Sequence, residues 1–377
     1  VVRSRDAAGN LTLEADYPQR SITQDAAGPV VTPSLTLSDT VSIHTTAEIN
    51  GIVSDASAIE AIEVNFTMAN QMGALDGGAL HLPFDELKPT NTFVDQSGSG
   101  RDVTCGVDHC PTPGKAGSRG GAFAFSGSGQ YLEAPALLDP DSGPFSAALW
   151  FNAAEVDGDH HLLQQAEGNG AGRTWLAVTA GKVRSNVGGV QLTGATGVSA
   201  GMWHHAALTF DGEMLRLYVD GVLDAQSPAA AEKKSGPLLI GASDRFNSFY
   251  EGLLDELIVY ERTLADFEVA NLYAYGRTPW LPATLDGDTW RYTIGEGAED
   301  GMEGLFQLNV RGIDALGNVT QLDGQRVWRG EIDTKPPVVA FPVTVDQIGS
   351  AVATTYACHA ADFNLDDAQS CVVKGSA

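Results

Sequence analysis

One run of residues occurs twice in this chain. Val2-Arg-Ser-Arg-Asp-Ala-Ala-Gly-Asn-Leu-Thr12 recurs as Val310-Arg-Gly-Ile-Asp-Ala-Leu-Gly-Asn-Val-Thr320, with Asp6 and Asp314 at equivalent places, 308 positions apart. In both copies a strand runs into an Asp-x-x-Gly-Asn turn, where Gly and Asn supply left-handed backbone at low cost. The copies continue alike, Asp25-Ala-Ala-Gly-Pro-Val-Val31 against Asp333-Thr-Lys-Pro-Pro-Val-Val339. Repetition of a strand, a turn and a joint at a fixed offset is the mark of an array of like units.

The repeat places the other strands. Ser34–Leu37, Ala47–Val53 and Ala61–Phe66 open a sandwich that stops short of completion, and Thr289–Ile294, Gly304–Arg311 and Gln325–Trp328 resume one much later. Together these pieces come to about a hundred residues, the size of one immunoglobulin-type sandwich. The turn and the joint resemble the closing hairpin and inter-domain junction of bacterial immunoglobulin-like domains in tandem. The expectation is one discontinuous domain, 27–75 with 276–335, preceded by the last strands of another (1–26) and followed by the start of a third (336–377). Residues 76–275 are then a guest in one loop, which is tolerated when a guest's own ends lie close together.

Within the guest, Gly201–Leu223 reads as a hairpin. Leu215, Leu217 and Val219 alternate with polar residues, the period of a half-buried strand. Asp211-Gly212 and Asp220-Gly221 are the dipeptide that type I′ turns favour. The run Trp203-His-His-Ala-Ala-Leu-Thr-Phe-Asp-Gly212, then Leu215-Arg-Leu-Tyr-Val-Asp-Gly-Val-Leu223, resembles the central hairpin of laminin-G-like (concanavalin A-like) jelly rolls. Other fragments of that pattern follow in order: Leu80–Asp85, Asp95–Gly100, Gly121–Ser126, Gln130–Glu133, Phe145–Phe151, Leu238–Gly241, Tyr250–Tyr260 and Arg262–Ala265. The fold class expected is all-β: a laminin-G-like jelly-roll sandwich inserted into an immunoglobulin-like sandwich. One short helix is expected at Leu264–Tyr273, with Leu264, Phe267, Leu272 and Tyr273 as its apolar positions.

Acidic residues outnumber basic ones 48 to 22, a net charge of −26. Nucleic acid and anionic membrane surfaces would be repelled; an acidic surface suits a soluble extracellular protein. The four cysteines fall into close pairs, Cys105 with Cys110 and Cys358 with Cys371, which reads as two local disulfides made in an oxidising compartment. The chain has no starting Met, no secretory segment and no apolar run long enough to span a membrane. It reads as a secreted or cell-surface segment of a longer polypeptide.

Resemblance to the jelly rolls implies one structural calcium ion near the paired first and last strands, with Asp85, Asp95 and Asp255 as matching positions. Asp255 interrupts a nearly continuous apolar strand, where an unpaired carboxylate would be costly. Either a hard cation or backbone amides and an arginine would relieve that cost. The resemblance also implies glycan binding, carried by rim loops Glu155–Thr174 and Ala242–Tyr250. These offer Asp157, Asp159, His160, Arg173, Trp175, Asn247 and Tyr250: rings to stack on sugars and polar groups to bond hydroxyls, the alternative being ordinary solvated loops with Trp175 in the core. His204-His205 reads as a strand entry, since neighbouring strand residues face opposite ways. Asn10, Asn65 and Asn318 stand in Asn-x-Thr sequons. There is no Gly-x-Ser-x-Gly elbow, His-Glu-x-x-His or phosphate loop. The expected role is non-catalytic: adhesion through a glycan or an extracellular protein, or assembly into a filament by terminal strand addition. A purely structural matrix or sheath protein, and an accessory carbohydrate-binding region of a larger extracellular enzyme, are the alternatives.

Overall fold

The computed structural model describes residues 28–34, 42–43, 47–68, 71, 73–137, 143–166, 173–230, 236–294, 303–320, 328–333, 338–340 and 359–361. The first copy of the repeat and the second cysteine pair, Cys358 and Cys371, lie outside them. The described chain is almost wholly β and builds two sandwiches, one carried within the other.

The outer sandwich, or host, takes strands from both ends of the chain. Val30–Pro33, Ala47–Ser54, Thr289–Ile294 and Thr284–Asp286 form a four-stranded sheet in that order. Ser42–Ile43, Trp328–Asp333, Glu303–Asp314, Ile59–Met68 and Leu281–Pro282 form a five-stranded sheet. Early and late segments pair within each sheet: Ile49 lies opposite Tyr292, and Phe66 and Val64 lie opposite Leu308 and Val310. The cause is the period of two. Ile62, Val64 and Phe66 turn inward from one strand and Leu308 and Val310 from its neighbour, meeting Ile49, Val53, Trp290 and Ile332 in one interior.

The Asp-x-x-Gly-Asn turn differs from the expectation in one respect. Gly317 is left-handed, with φ 80°, but Asn318 is not. Its side chain instead donates to Asp314 Oδ2 at 2.8 Å, while Asp314 Oδ1 accepts the amides of Leu316 and Asn318 at 2.9 and 2.7 Å. The aspartate side chain, fully buried, braces the turn from within.

The inner sandwich, or guest, consists of two larger sheets. One runs Val190–Gly197, Lys182–Val187, Arg173–Thr179, Asp159–Gln165, Leu238–Ile240, Leu132–Ala134, Val103–Thr104, Thr92–Phe93. The other runs Val222–Pro228, Met214–Val219, His204–Phe210, Phe145–Ala153, Glu251–Tyr260, Gly121–Ser126, Thr112–Ala116. The guest's first strand, Leu80–Leu82, pairs with its last, Glu251–Tyr260, so its two ends meet. Between the sheets lie Phe123, Phe151, Trp175, Phe210, Leu217, Tyr250 and Leu257 among others. Gly201–Leu223 is the middle of the second sheet. Val219 pairs with Val222 around Asp220 (φ 49°) and Gly221 (φ 78°), the two left-handed residues of a type I′ turn. At the other Asp-Gly only Gly212 is left-handed. Asp211 caps the amides of Glu213 and Met214 instead, at 3.0 and 2.7 Å.

The helix spans Asp266–Tyr275 and buries Val269, Leu272 and Tyr275 against the outer face of the second sheet. Phe267, expected on the buried side, is exposed. Leu264 lies before the helix and so does not set its buried face; Val269, Leu272 and Tyr275 do, and Phe267, two residues before Val269, falls on the opposite side. Cys105 and Cys110 are joined by a disulfide. Val338–Ala340 and His359–Ala361 form a separate two-stranded pair.

Candidate functional site

Two regions hold the residues that the sequence singles out. The first is the joint between guest and host. Opposite Phe145–Ala153 the strand Glu251–Tyr260 slips register between Ala148 and Trp150, and Glu256 takes φ 47°. This is a bulge. It lets Leu254 and Leu257, three apart, both enter the core, and it turns two consecutive acids into the joint. Asp255 Oδ2 accepts the Arg119 amide at 2.9 Å. Glu256 accepts from Arg119 Nη1 at 3.2 Å and pairs with His81 Nε2 at 3.0 Å. Arg119 also donates to Oδ1 of Asn65, a host residue, at 3.1 Å. From the host, Arg311 pairs with Glu63 at 2.7 Å and with the guest's Asp85 at 3.0 Å. The indole of Trp280 lies 5.3 Å from the Arg119 guanidinium and 4.3 Å from that of Arg311, within cation–π range of both.

Electrostatics sort these acids into two kinds. Burial, and then the neighbouring Glu256 charge, push the Asp255 carboxyl well above the ordinary aspartate range. Burial opposes the Glu256 charge too, but the His81 hydrogen bond and the Arg119 charge hold it below its ordinary value. The two neighbouring carboxyls are thus shifted in opposite directions, and the one held low, Glu256, faces an arginine.

Asp85, Asp95 and Asp255 do not form one ligand set. Asp85 Oδ1 accepts the Gly121 amide at 2.6 Å and its other oxygen faces Arg311. Asp95 folds back on its own loop, accepting from the amides of His81, Ser97 and Arg101 and from the Ser97 hydroxyl. Among the described residues no group of three or more His, Cys, Asp or Glu is placed to hold a metal ion. A calcium site needs several oxygens converging on one cation. These residues do not fit it, and two guanidinium groups supply the positive charge in the joint.

The second region is the rim. The described part of 155–174 does meet 242–250 there: Ser248 Oγ donates to the Asp159 carbonyl at 2.7 Å, and the Asp244 amide donates to Gln164 Oε1 at 3.1 Å. The expected ligand residues divide sharply. Trp175 and Tyr250 are both 0% exposed; Trp175 packs edge-on to Phe145 at 4.2 Å, and the Tyr250 hydroxyl donates to the Leu253 carbonyl. Neither ring can offer a face to a sugar, because both complete the core between the sheets. His160 and Arg173 are buried as well, His160 with Nε2 2.6 Å from the Asp157 carbonyl. Asp157, Asp159 and Asn247 remain at the surface. Asp159 is engaged by Thr179 and Arg184, and the Thr179 hydrogen bond leads in lowering its pKa.

Residues 126–270 match the family model Laminin_G_3, the concanavalin A-like lectin/glucanases superfamily. The guest is a laminin-G-like domain. No curated protein matches the chain. Among solved structures, it is similar to the binding domain of Paraclostridial Mosquitocidal Protein 1, at 13% identity over 53% of this chain and 52% of that one, TM-score 0.42. It is also similar to the binding domain of botulinum neurotoxin serotype D, at 15% identity over 55% and 52%, TM-score 0.41. A third is domain 4 of AbnA, an extracellular arabinanase from Geobacillus stearothermophilus in complex with arabinotriose, at 18% identity over 56% and 99%, TM-score 0.37. The chain spans about half the length of the two toxin domains.

Several residues that organise the laminin-G-like domain are absent from the sequence expectation. Arg119 sits in the turn Gly117-Ser-Arg-Gly120, and Gly120 has φ 80°. A Cβ there would strike Asp85 and the Arg311 guanidinium, so glycine is required both by conformation and by space. That glycine pair around an arginine is the one local signal the joint leaves in the sequence. Asn65 is fully buried, and its amide donates to the carbonyls of Thr278 and Pro279; in the folded chain it is not an accessible glycosylation acceptor. His204 and His205 take opposite faces, His204 against Asp220 at 2.9 Å and His205 against Trp150 and Tyr273.

Proposed function

We propose that the laminin-G-like domain is a non-catalytic glycan-recognition module of a secreted or cell-surface protein, with the host sandwich as its rigid mount. The observation that carries this reading is the match of 126–270 to a superfamily of lectins and glucanases. Between those two activities, the disposition of the acids favours binding. Glycoside hydrolysis uses two carboxyl groups facing each other across an open cleft, roughly 5–9.5 Å apart. Here the buried acids Asp255 and Glu256 lie side by side on one strand, bonded to Arg119 and His81, and not across an open cleft. The Cys105–Cys110 disulfide agrees with an oxidising exterior.

We further propose that 76–275 is a self-contained guest and that its role in the longer protein is attachment to a surface glycan. The net charge of −26 weighs against polyanionic partners. The test is retention of the full chain on immobilised polysaccharides, run beside a reducing-sugar release assay on the same polymers. Retention without release supports the reading. Release of sugar would replace it with a hydrolase, and neither retention nor release would leave the structural-matrix alternative.

A further inference from the structure

Three loops of the laminin-G-like domain cross from one sheet to the other at a common edge: 105–111, 127–131 and 241–250. Each brings a ring to the surface. Phe246 lies 4.9 Å from Tyr131, and Tyr131 lies 5.3 Å from His109, ring centre to ring centre. Phe246 is 45% exposed and left-handed, with φ 52°. An aromatic residue held both in solvent and in that conformation is unfavourable twice over, which marks a position kept for something other than the fold.

The loops that hold these rings are braced. Ser243 Oγ accepts the amides of Asn247 and Ser248 at 3.3 and 3.1 Å and donates to Asn247 Oδ1 at 2.9 Å. The Phe246 amide donates to the Ser243 carbonyl at 2.9 Å. On the other side, the Cys105–Cys110 disulfide closes the loop that carries His109. Gln130 is held at both ends of its amide, by the Ser126 amide and the Cys110 carbonyl. The rings are thus pre-positioned, and little ordering remains to be done on binding.

We propose that Phe246, Tyr131 and His109 form a stacking platform for a neutral hexopyranose of the glycan recognised by this domain. The inference rests on the glycan reading above and names its contact surface. Aromatic faces receive the apolar C–H face of a pyranose, and polar groups at their edge fix its hydroxyls. Two such groups are in place. His109 Nδ1 donates to the Gly129 carbonyl at 2.6 Å, so Nε2 of the neutral ring is an acceptor. Asn247, next to Phe246 and exposed, keeps its amide NH2 as a donor, its oxygen being bonded to Ser243. The chain's charge of −26 weighs against polyanionic polymers rich in uronate or sialate, and the assignment is to uncharged sugars.

The experiment is affinity electrophoresis of the full chain through gels holding galactan, arabinan, xylan, mixed-linkage β-glucan, pectate or polysialic acid. Phe246→Gly removes the ring while suiting the left-handed backbone, so its melting temperature should be unchanged or higher. It should bind the retaining neutral polymer at least about tenfold more weakly, as loss of a stacking anchor does. Tyr131→Ala should lose comparably, Phe246→Trp should keep binding, and Phe267→Ala, exposed elsewhere, should not change it. Retention of wild type and of Phe246→Gly alike overturns the platform and leaves the glycan reading intact. Retention only on pectate or polysialic acid overturns the neutral-sugar assignment. Retention on no polymer removes both readings. A dimer abolished by Phe246→Gly, without retention, would assign the rings to a second copy instead.

Discussion

The joint and the rim invert what their residues suggest. The joint is full of charge, yet Arg119 and Glu256 are shut away from water, bonded to each other, to His81 and to Asn65, with the Trp280 ring beside the guanidinium. At the rim two of the residues that looked best suited to a ligand, Trp175 and Tyr250, are core, while Phe246, an apolar residue, stands in solvent. Charge that nothing can reach is architecture; it fixes how the guest is seated. An aromatic ring that water reaches, on a braced loop, is what the proposed stacking platform requires.

Arg119→Ala should break this contrast hardest. It leaves Glu256 buried with a single partner, and loss of one member of a buried pair costs about 3–5 kcal/mol; urea unfolding should show it as a lower midpoint. Next comes Glu86, whose carboxyl is pushed up to about 7, first by burial and then by the Asp85 charge. Its folded pKa lies above the ordinary glutamate value of 4.5, so the folded state holds the extra proton. Stability from this residue is present below about 4.5 and is lost as pH rises toward 7. Glu86→Gln should flatten that window and raise stability at pH 8 by about 1–3 kcal/mol; an unchanged pH–stability curve would exclude it.

Asp255→Asn is expected to raise the melting temperature at neutral pH by a smaller amount. It keeps the acceptor for the Arg119 amide and removes an acid that burial disfavours in its charged form. A fall in melting temperature would mean that the carboxylate itself is needed. The smallest effect belongs to chelation. EDTA should leave melting unchanged, since Asp85, Asp95 and Asp255 are separately engaged. A fall that calcium reverses would reinstate the cation that the family resemblance implies.

Local chemistry in the sequence was enough for the elements that depend on local chemistry. Asp220-Gly221 forms its type I′ turn because both residues tolerate positive φ. The alternation through Leu215, Leu217 and Val219 does put them in the sheet. Features set by distant partners left no such trace. Arg119 meets Glu256 137 positions away and Asn65 54 positions away. The bulge at Glu256 is hidden because Leu253, Leu254, Leu257 and Ile258 surround it with apolar residues in every register. Whether Trp175 and Tyr250 face the rim or the core is open in the sequence for a related reason: at a loop's end, one residue decides between the two. The exposed Phe246 could have been suspected only from its setting in Ser243-Asp-Arg-Phe-Asn-Ser248, where a lone aromatic interrupts a polar loop.

The central claim, that the joint seats the domain and the rim recognises the ligand, is tested most directly by measuring stability and polysaccharide retention on the same two variants. Arg119→Ala should lose several kcal/mol and, well below its melting temperature, keep wild-type retention. Phe246→Gly should melt no lower than wild type and lose retention. Retention lost with Arg119→Ala while it is still folded, and kept with Phe246→Gly, would contradict the account.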